Sequence, residues 1–418
     1  VKLSFGYGHG TQTVQVPDAN LLDVLRPNPV PSTLSEAQEI RRALAHPIDS
    51  PPLREIVRPG EKIVVVSSDI TRPVPTARLM PFILDELYAA GAKPEDITLV
   101  FALGSHRTHT SAEREKLAGP RARAEIECVD SDPEDCLRLG VTARGTPVDI
   151  TRRVAEAERR ICLGNIEYHY FAGYSGGAKA LMPGVSSRAA IQANHAWMLD
   201  EGARAGRLDG NPLREDIEEA IARFCPIDFI LNVVLDEKKQ AVQASAGHPV
   251  AAHRAGCRFL DSIYMKEIER QADIVLCSQG GAPKDINLYQ TQKALDNAKH
   301  AVKPGGVIVL MGECPEGMGG GVFEEWMTQG PTPQAMIDRI RREFVLGGHK
   351  AAAIAMVLQQ ADIFLVSEMA PEFVRGIFLQ PFSGAQAAFD AALEKMGPGA
   401  GVLAMPYGGS TLPVLKND

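Results

Sequence analysis

Short runs of β-branched and other apolar residues alternate along the chain with longer segments whose apolar positions recur every three or four residues. Eight runs read as strands: KIVVVSSD from Lys62, DITLVFALG from Asp96, RRICLGNIE from Arg159, DFILNVVLD from Asp228, ADIVLCSQGG from Ala272, GGVIVLMGE from Gly305, ADIFLVSE from Ala361 and GVLAMPYGG from Gly401. ARLMPFILDELYAAG, PLREDIEEAIARFC and AQAAFDAALEKMG, lying between them, read as amphipathic helices bounded by Pro or Gly. Apolar strands alternating with helices predict an α/β fold with largely parallel sheets flanked by helices. A helix-rich stretch over 248–271 separates the first four strands from the last four. It predicts an N-terminal α/β domain over 1–265 and a C-terminal α/β domain over 266–418, with the active site in the cleft between them.

Length agrees, since 418 residues exceed the roughly 250–300 that one hydrophobic core can serve. With 45% hydrophobic and 23% charged residues the chain is globular, which excludes disordered and fibrous classes. A net charge of −8 argues against nucleic acid or an anionic membrane as partner and favours a small ligand. No apolar run reaches the roughly 20 residues of a bilayer span, and VKLSFGYGHG lacks the order of a signal peptide, so a cytoplasmic protein is expected. The seven cysteines are scattered and contain no CxxC pair, which indicates neither a disulfide scaffold nor a thiolate zinc site.

Polar residues cluster after the apolar runs, where open α/β sheets bind ligands. Asp69-Ile70-Thr71-Arg72 follows the first strand, His106-Arg107 the second, and His169 with Gly173-Tyr174-Ser175-Gly176-Gly177-Ala178-Lys179 the third. The glycines before Lys179 read as a turn able to cradle a monophosphate, although Ala178 and Ala180 exclude a Walker A loop. Lys179 itself could be a solvated lysine or a covalent anchor. SSRAAIQANHAWML is a serine-capped helix with His195 near its end, and one imidazole holds a metal only if other donors are supplied. In the second half Gln290 and Lys293 share a helix face suited to a carboxylate. Gly317–Gly321 departs from a dinucleotide fingerprint because Val322 stands at its last glycine position. Gly347-Gly348-His349-Lys350 reads as a helix start, or as positive charge for a second carboxylate that would favour malate.

Taken in order, DITRP, GSHR, YHYFAGYSGGAKALMPG, NHAWM and PKDINLYQTQKAL resemble the nickel-dependent lactate racemases and related 2-hydroxyacid racemases over nearly the whole chain. That resemblance implies a racemase acting by hydride transfer through a 2-ketoacid, with a nickel-pincer nucleotide made by dedicated biosynthetic enzymes. It implies His106 and His169 as proton donor/acceptors, Arg72, Gln290 and Lys293 as substrate contacts, and His195 as nickel ligand. Lys179 would carry the cofactor covalently, with Asp69, Ile70, Thr71, Arg72, Phe171 and Tyr289 around it. Two other classes fit parts of the pattern. A divalent-metal hydrolase or lyase would use Asp69, His106, His169 and His195; a cofactor-storage protein would not need paired histidines.

Overall fold

The computed structural model describes residues 1–30, 34–236 and 238–416. The chain forms two compact units, one of Val30–Ser262 and one that joins Val1–Pro29 to Ile263–Asp418. The chain opens with a hairpin of β1 (Lys2–Tyr7) and β2 (Gly10–Gln15), followed by β3 (Leu21–Val24). These three strands belong with the C-terminal residues and not with the N-terminal domain expected over 1–265. The reason is a pairing of high sequence separation: β3 adds in parallel to a strand that begins at Val402, and Leu3, Phe5 and Val14 of the hairpin are buried in that unit's core.

The Val30–Ser262 unit is built on β4 (Ile63–Ser68), α1 (Thr76–Ala89), β5 (Ile97–Ala102), α2 (Ser111–Glu125), β6 (Glu127–Asp130), β7 (Arg159–Asn165), α3 (Arg188–His195), α4 (Pro212–Phe224), β8 (Phe229–Leu235) and β9 (Ala241–Gly247). Its sheet has the order β9-β8-β7-β4-β5-β6, and every pair is parallel except β8 with β9. The central strand β4 is a continuous apolar run because it is covered on both faces. Ile63 and Val65 pack with Leu99, Phe101 and Leu231 against Leu79, Ile83 and Leu87 of α1. Each such side chain contributes roughly 1.5–3 kcal/mol of burial.

After the bridging helix α5 (Ala251–Tyr264) come β10 (Ala272–Ser278), α6 (Leu288–Ala298), β11 (Val302–Met311), α7 (Gly348–Leu358), β12 (Asp362–Val366), β13 (Gln380–Phe382), α8 (Ala385–Met396) and β14 (Val402–Met405). The second sheet runs β13-β12-β11-β10-β14-β3, parallel throughout. All eight expected strands are present within a few residues of their expected places. Among the described residues the seven cysteines are free, and no helix is long and apolar enough to cross a membrane.

Candidate active site

In the first sheet the strand order reverses between β4 and β7: β5 and β6 follow β4 on one side, and β8 and β9 follow β7 on the other. Loops leaving the carboxyl ends of the two strands at such a reversal diverge and open a crevice, the usual ligand position in an open α/β sheet. The loop after β4 carries Asp69, Ile70, Thr71 and Arg72, and the loop after β7 carries His169, Phe171 and Lys179. The neighbouring β5 delivers His106.

Asp69 and His106 meet there. Asp69 is buried, at 4% side-chain exposure, and its Oδ2 lies 2.7 Å from His106 Nδ1, whose ring is 27% exposed. The Thr71 hydroxyl donates to the same carboxylate at 2.9 Å, and the Arg72 N–H closes a turn onto the Asp69 carbonyl. Burial alone would raise the Asp69 pKa. The His106 hydrogen bond and charge, with Thr71 and Arg72, outweigh it and hold the carboxyl below its ordinary value. An ionised Asp69 accepts the Nδ1 hydrogen, which leaves His106 Nε2 as the basic nitrogen.

Phe171 gathers the other candidates. Its ring centroid is 4.5 Å from that of His169 and 5.0 Å from that of His195, both edge-on, and Lys179 Nζ lies 5.9 Å from its centre. His169 Nδ1 accepts the Ala172 N–H at 3.3 Å. Lys179 is half-buried. Burial, reinforced by the positive charges of Arg214 and Arg72 and opposed by Glu167, pulls its pKa well below that of an ordinary lysine. The amine is therefore biased toward its neutral, nucleophilic form.

In the glycine-rich turn before Lys179, several backbone donors are bonded within the protein. The Ser175 N–H bonds to the Glu167 carbonyl, the Gly177 N–H to Asn232 Oδ1 at 2.8 Å, and the Lys179 N–H to the Gly176 carbonyl. These donors are consumed within the protein. The glycines are there for close packing: Gly177 has φ +60°, and a Cβ on it would come within 2.8 Å of the His253 ring. The turn is a rigid mount for Lys179.

Tyr289, Gln290 and Lys293 lie in the other unit, on the first two turns of α6 beyond β10, beside that sheet's own strand-order reversal between β10 and β14. Asn287 caps the helix by accepting the Gln290 N–H at 3.0 Å. Lys293 is exposed, Gln290 half-buried, and Tyr289 packs edge-on against Phe323 at 5.7 Å. His349 and Lys350 begin α7 and are buried. The Lys350 ammonium lies 3.9 Å from Asp296 Oδ2 and 5.4 Å from the centre of the Tyr289 ring, and His349 Nδ1 accepts the Gly347 N–H. Arg107 points to solvent in a bidentate pair with Glu113.

Several supporting residues carry no local sequence signal. Asn211, fully buried, caps α4 through the N–H groups of Leu213 and Arg214, and its amide donates to the Phe171 carbonyl at 2.9 Å. Arg214, also fully buried, donates to the carbonyls of Ala172 and Tyr174. His109 bonds the loop after β4. Its place three residues beyond His106 was the one visible hint.

Among the described residues no three His, Cys, Asp or Glu side chains are grouped to hold a metal ion. A metal on His195 would thus need further donors from a bound group, and Lys179, whose pKa is pulled down, lies beside the same Phe171 ring. His195 is compatible with a metal held jointly by the protein and a bound organic group.

The family described as lactate racemase N-terminal domain matches residues 7–206, and that described as lactate racemase C-terminal domain matches 268–412. The chain is 33% identical to the lactate racemase of Thermoanaerobacterium thermosaccharolyticum over 90% of each chain, and 31% identical to that of Lactiplantibacillus plantarum over 98% of each. The lactate racemase apoprotein structure from the former organism superposes with a TM-score of 0.90 at 31% identity, covering 99% of this chain and 100% of that one. A Thermotoga maritima protein, at 18% identity and a TM-score of 0.64 over 93% of this chain and all of the other, shares the fold. Both halves are matched in order by that family's two domains, and the chain belongs to the lactate racemase family of isomerases.

Proposed function

We propose that the chain interconverts the enantiomers of a 2-hydroxyacid, lactate foremost, by hydride transfer through a 2-ketoacid. The observation that carries this reading is the Asp69–His106 pair, a base fixed in one tautomer beside the strand-order reversal whose loops also carry His169 and Lys179, with His195 packed on Phe171 of the same loop. Removing a proton from C2 of lactate is unfavourable because no carbonyl at C2 stabilises the carbanion. Removing the hydroxyl proton instead makes C2–H a hydride donor and leaves the ketoacid.

His106 Nε2 takes the hydroxyl proton of one enantiomer, and Asp69 stabilises the imidazolium that forms, as the acid does in a His–Asp dyad. His169 serves the opposite face: once the ketoacid has turned over and C2 has taken back hydride on its other face, a protonated His169 gives its proton to the oxygen, so that the two histidines exchange protonation states and the reverse conversion uses them in opposite roles. Arg72 binds the carboxylate, and the family resemblance implies the same role for Gln290 and Lys293 of the other unit. When bound, a nickel-pincer nucleotide would supply the hydride acceptor that amino-acid side chains lack. Lys179 would hold it covalently, His195 would ligate its nickel, and Asp69, Ile70, Thr71, Arg72, Phe171 and Tyr289 would surround it. The enzymes that make the cofactor would then be required for activation.

A bare-ion hydrolase or lyase is disfavoured by the missing ligand cluster among the described residues. The test is chiral chromatography of L- and D-lactate, malate and longer 2-hydroxyacids, using protein produced with and without the cofactor-making enzymes. The reading predicts racemisation of lactate by the co-produced protein alone, with a mass adduct on the Lys179 peptide. Adduct-bearing protein that leaves every 2-hydroxyacid optically unchanged would refute it.

A further inference from the structure

His109 lies outside the set of residues that face the candidate site, yet it is among the most enclosed polar groups beside it, with 1% side-chain exposure. Its Nε2 is 3.0 Å from the Ile70 backbone nitrogen, an N–H that can only donate, so Nε2 must carry a lone pair. The ring proton is then on Nδ1, which lies 2.6 Å from Asp130 Oδ1. Asp130 is fixed in turn: its Oδ2 accepts the His109 backbone N–H at 2.9 Å and an Arg114 N–H at 3.3 Å. Phe101 closes the remaining side, edge-on at 5.7 Å.

These bonds join three loops at the carboxyl ends of adjacent strands. Ile70 stands between Asp69 and Thr71 in the loop after β4, His109 is three residues beyond His106 in the loop after β5, and Asp130 ends β6. The loop that carries His106 is thereby fastened to the loop that carries its carboxylate, on the far side of the 2.7 Å Asp69–His106 contact. We infer that His109 is a positioning residue for the Asp69–His106 pair, acting as a neutral, Nδ1-protonated imidazole between Asp130 and the Ile70 N–H. The inference rests on the racemase reading for its catalytic consequence, whereas its structural content does not. Outer partners that orient an imidazole or a carboxylate are general determinants of how well the inner pair works.

The test uses ¹⁵N-histidine-labelled apoprotein and the cofactor-loaded enzyme. At neutral pH, long-range ¹⁵N–¹H correlation should show His109 protonated on Nδ1 and unprotonated on Nε2. His109→Phe keeps the ring volume and removes both polar ends; it should shift the ring-nitrogen resonances of His106 and lower kcat/KM by about tenfold to a hundredfold, since small misplacements of reacting groups have effects of that order. His109→Gln, which can accept from Ile70 and donate to Asp130, should recover most of both. A His109 proton on Nε2 in the parent overturns the inference even if the Phe variant fails to fold. So do His106 resonances and kinetics that stay at parent values in a folded His109→Phe. An inactive parent with the expected NMR behaviour would count against the racemase reading and leave the positioning role standing.

Discussion

A buried carboxylate against a partly exposed imidazole determines which ring nitrogen is basic, and Asp69 plays that part for His106. Asp69→Asn keeps the shape but allows an amide N–H to face Nδ1, which would move the ring proton to Nε2 and remove the base. The expected loss in kcat/KM is about 10²–10⁴-fold, equal in both directions because the equilibrium constant of a racemisation is unity. The same change reads out in stability. The Asp69 pKa is depressed by folding, so its contribution is complete above its ordinary value near 4 and fades as pH falls through the lower folded value. Thermal unfolding from pH 7 down to pH 3 should show parent and Asn variant converging toward acid. Lys179 has the opposite sign. Its pKa is lowered in the fold, so below about pH 10.4 the unfolded chain gains a proton that the folded amine resists. Lys179→Met should therefore raise the apoprotein Tm by a few degrees at pH 7, with the gain shrinking toward pH 10, and should abolish any covalent adduct. Asp69, His106, His169 and Lys179 were visible as a chemically unusual set after strand ends, and His195 as a histidine near the end of a helix. His109, Asn211 and Arg214 were not, because each acts on a loop distant in sequence: His109 on the Ile70 N–H, Asn211 on the Phe171 carbonyl, and Arg214 on the carbonyls of Ala172 and Tyr174.

At the level of elements, the strands that read most clearly were those buried on both faces, such as β4 and β10, where four or more consecutive apolar residues leave little ambiguity. The short β6, ECVD, and β9, AVQASAG, were missed because they lie at sheet edges and lack such runs. The GYSGGAK turn was legible only in part. Glycine spacing reports that backbone must approach something closely, and Gly176 and Gly177 here approach Asn232 and His253. The start of α4 ties packing to the site most directly, since Asn211 serves both the helix N-terminus and the Phe171 carbonyl. Asn211→Ala should cost about 1–2 kcal/mol as a lost cap. It should also weaken retention of nickel by the loaded enzyme, because Phe171 packs on His195. Unchanged Tm and metal content would show that the cap and the Phe171 bond carry no weight.

On the scale of the whole molecule, the two sheets share one design, a parallel array whose strand order reverses beside the strands that deliver the candidate residues. That architecture was legible from alternation alone. The membership of residues 1–29 was not, since pairing of β3 with β14 spans nearly the full chain and sequence periodicity is blind to such contacts. Deleting residues 1–29 should uncover β14 and the surface covered by Leu3, Phe5 and Val14. Calorimetry should then show a lower transition for the unit containing 263–418, restored by the 1–29 peptide in trans. Unaltered melting after the deletion would contradict the unit assignment.

The central claim, that hydrogen moves at C2 as hydride while histidines handle only the hydroxyl proton, is tested by racemising C2-deuterated L-lactate in ordinary water with the loaded enzyme. Hydride held away from solvent does not exchange, so the account predicts D-lactate that keeps its deuterium, with ketoacid trappable during turnover. Loss of the C2 label to water at the rate of racemisation, with no ketoacid formed, would contradict it and make His106 and His169 carbon acid–base catalysts instead.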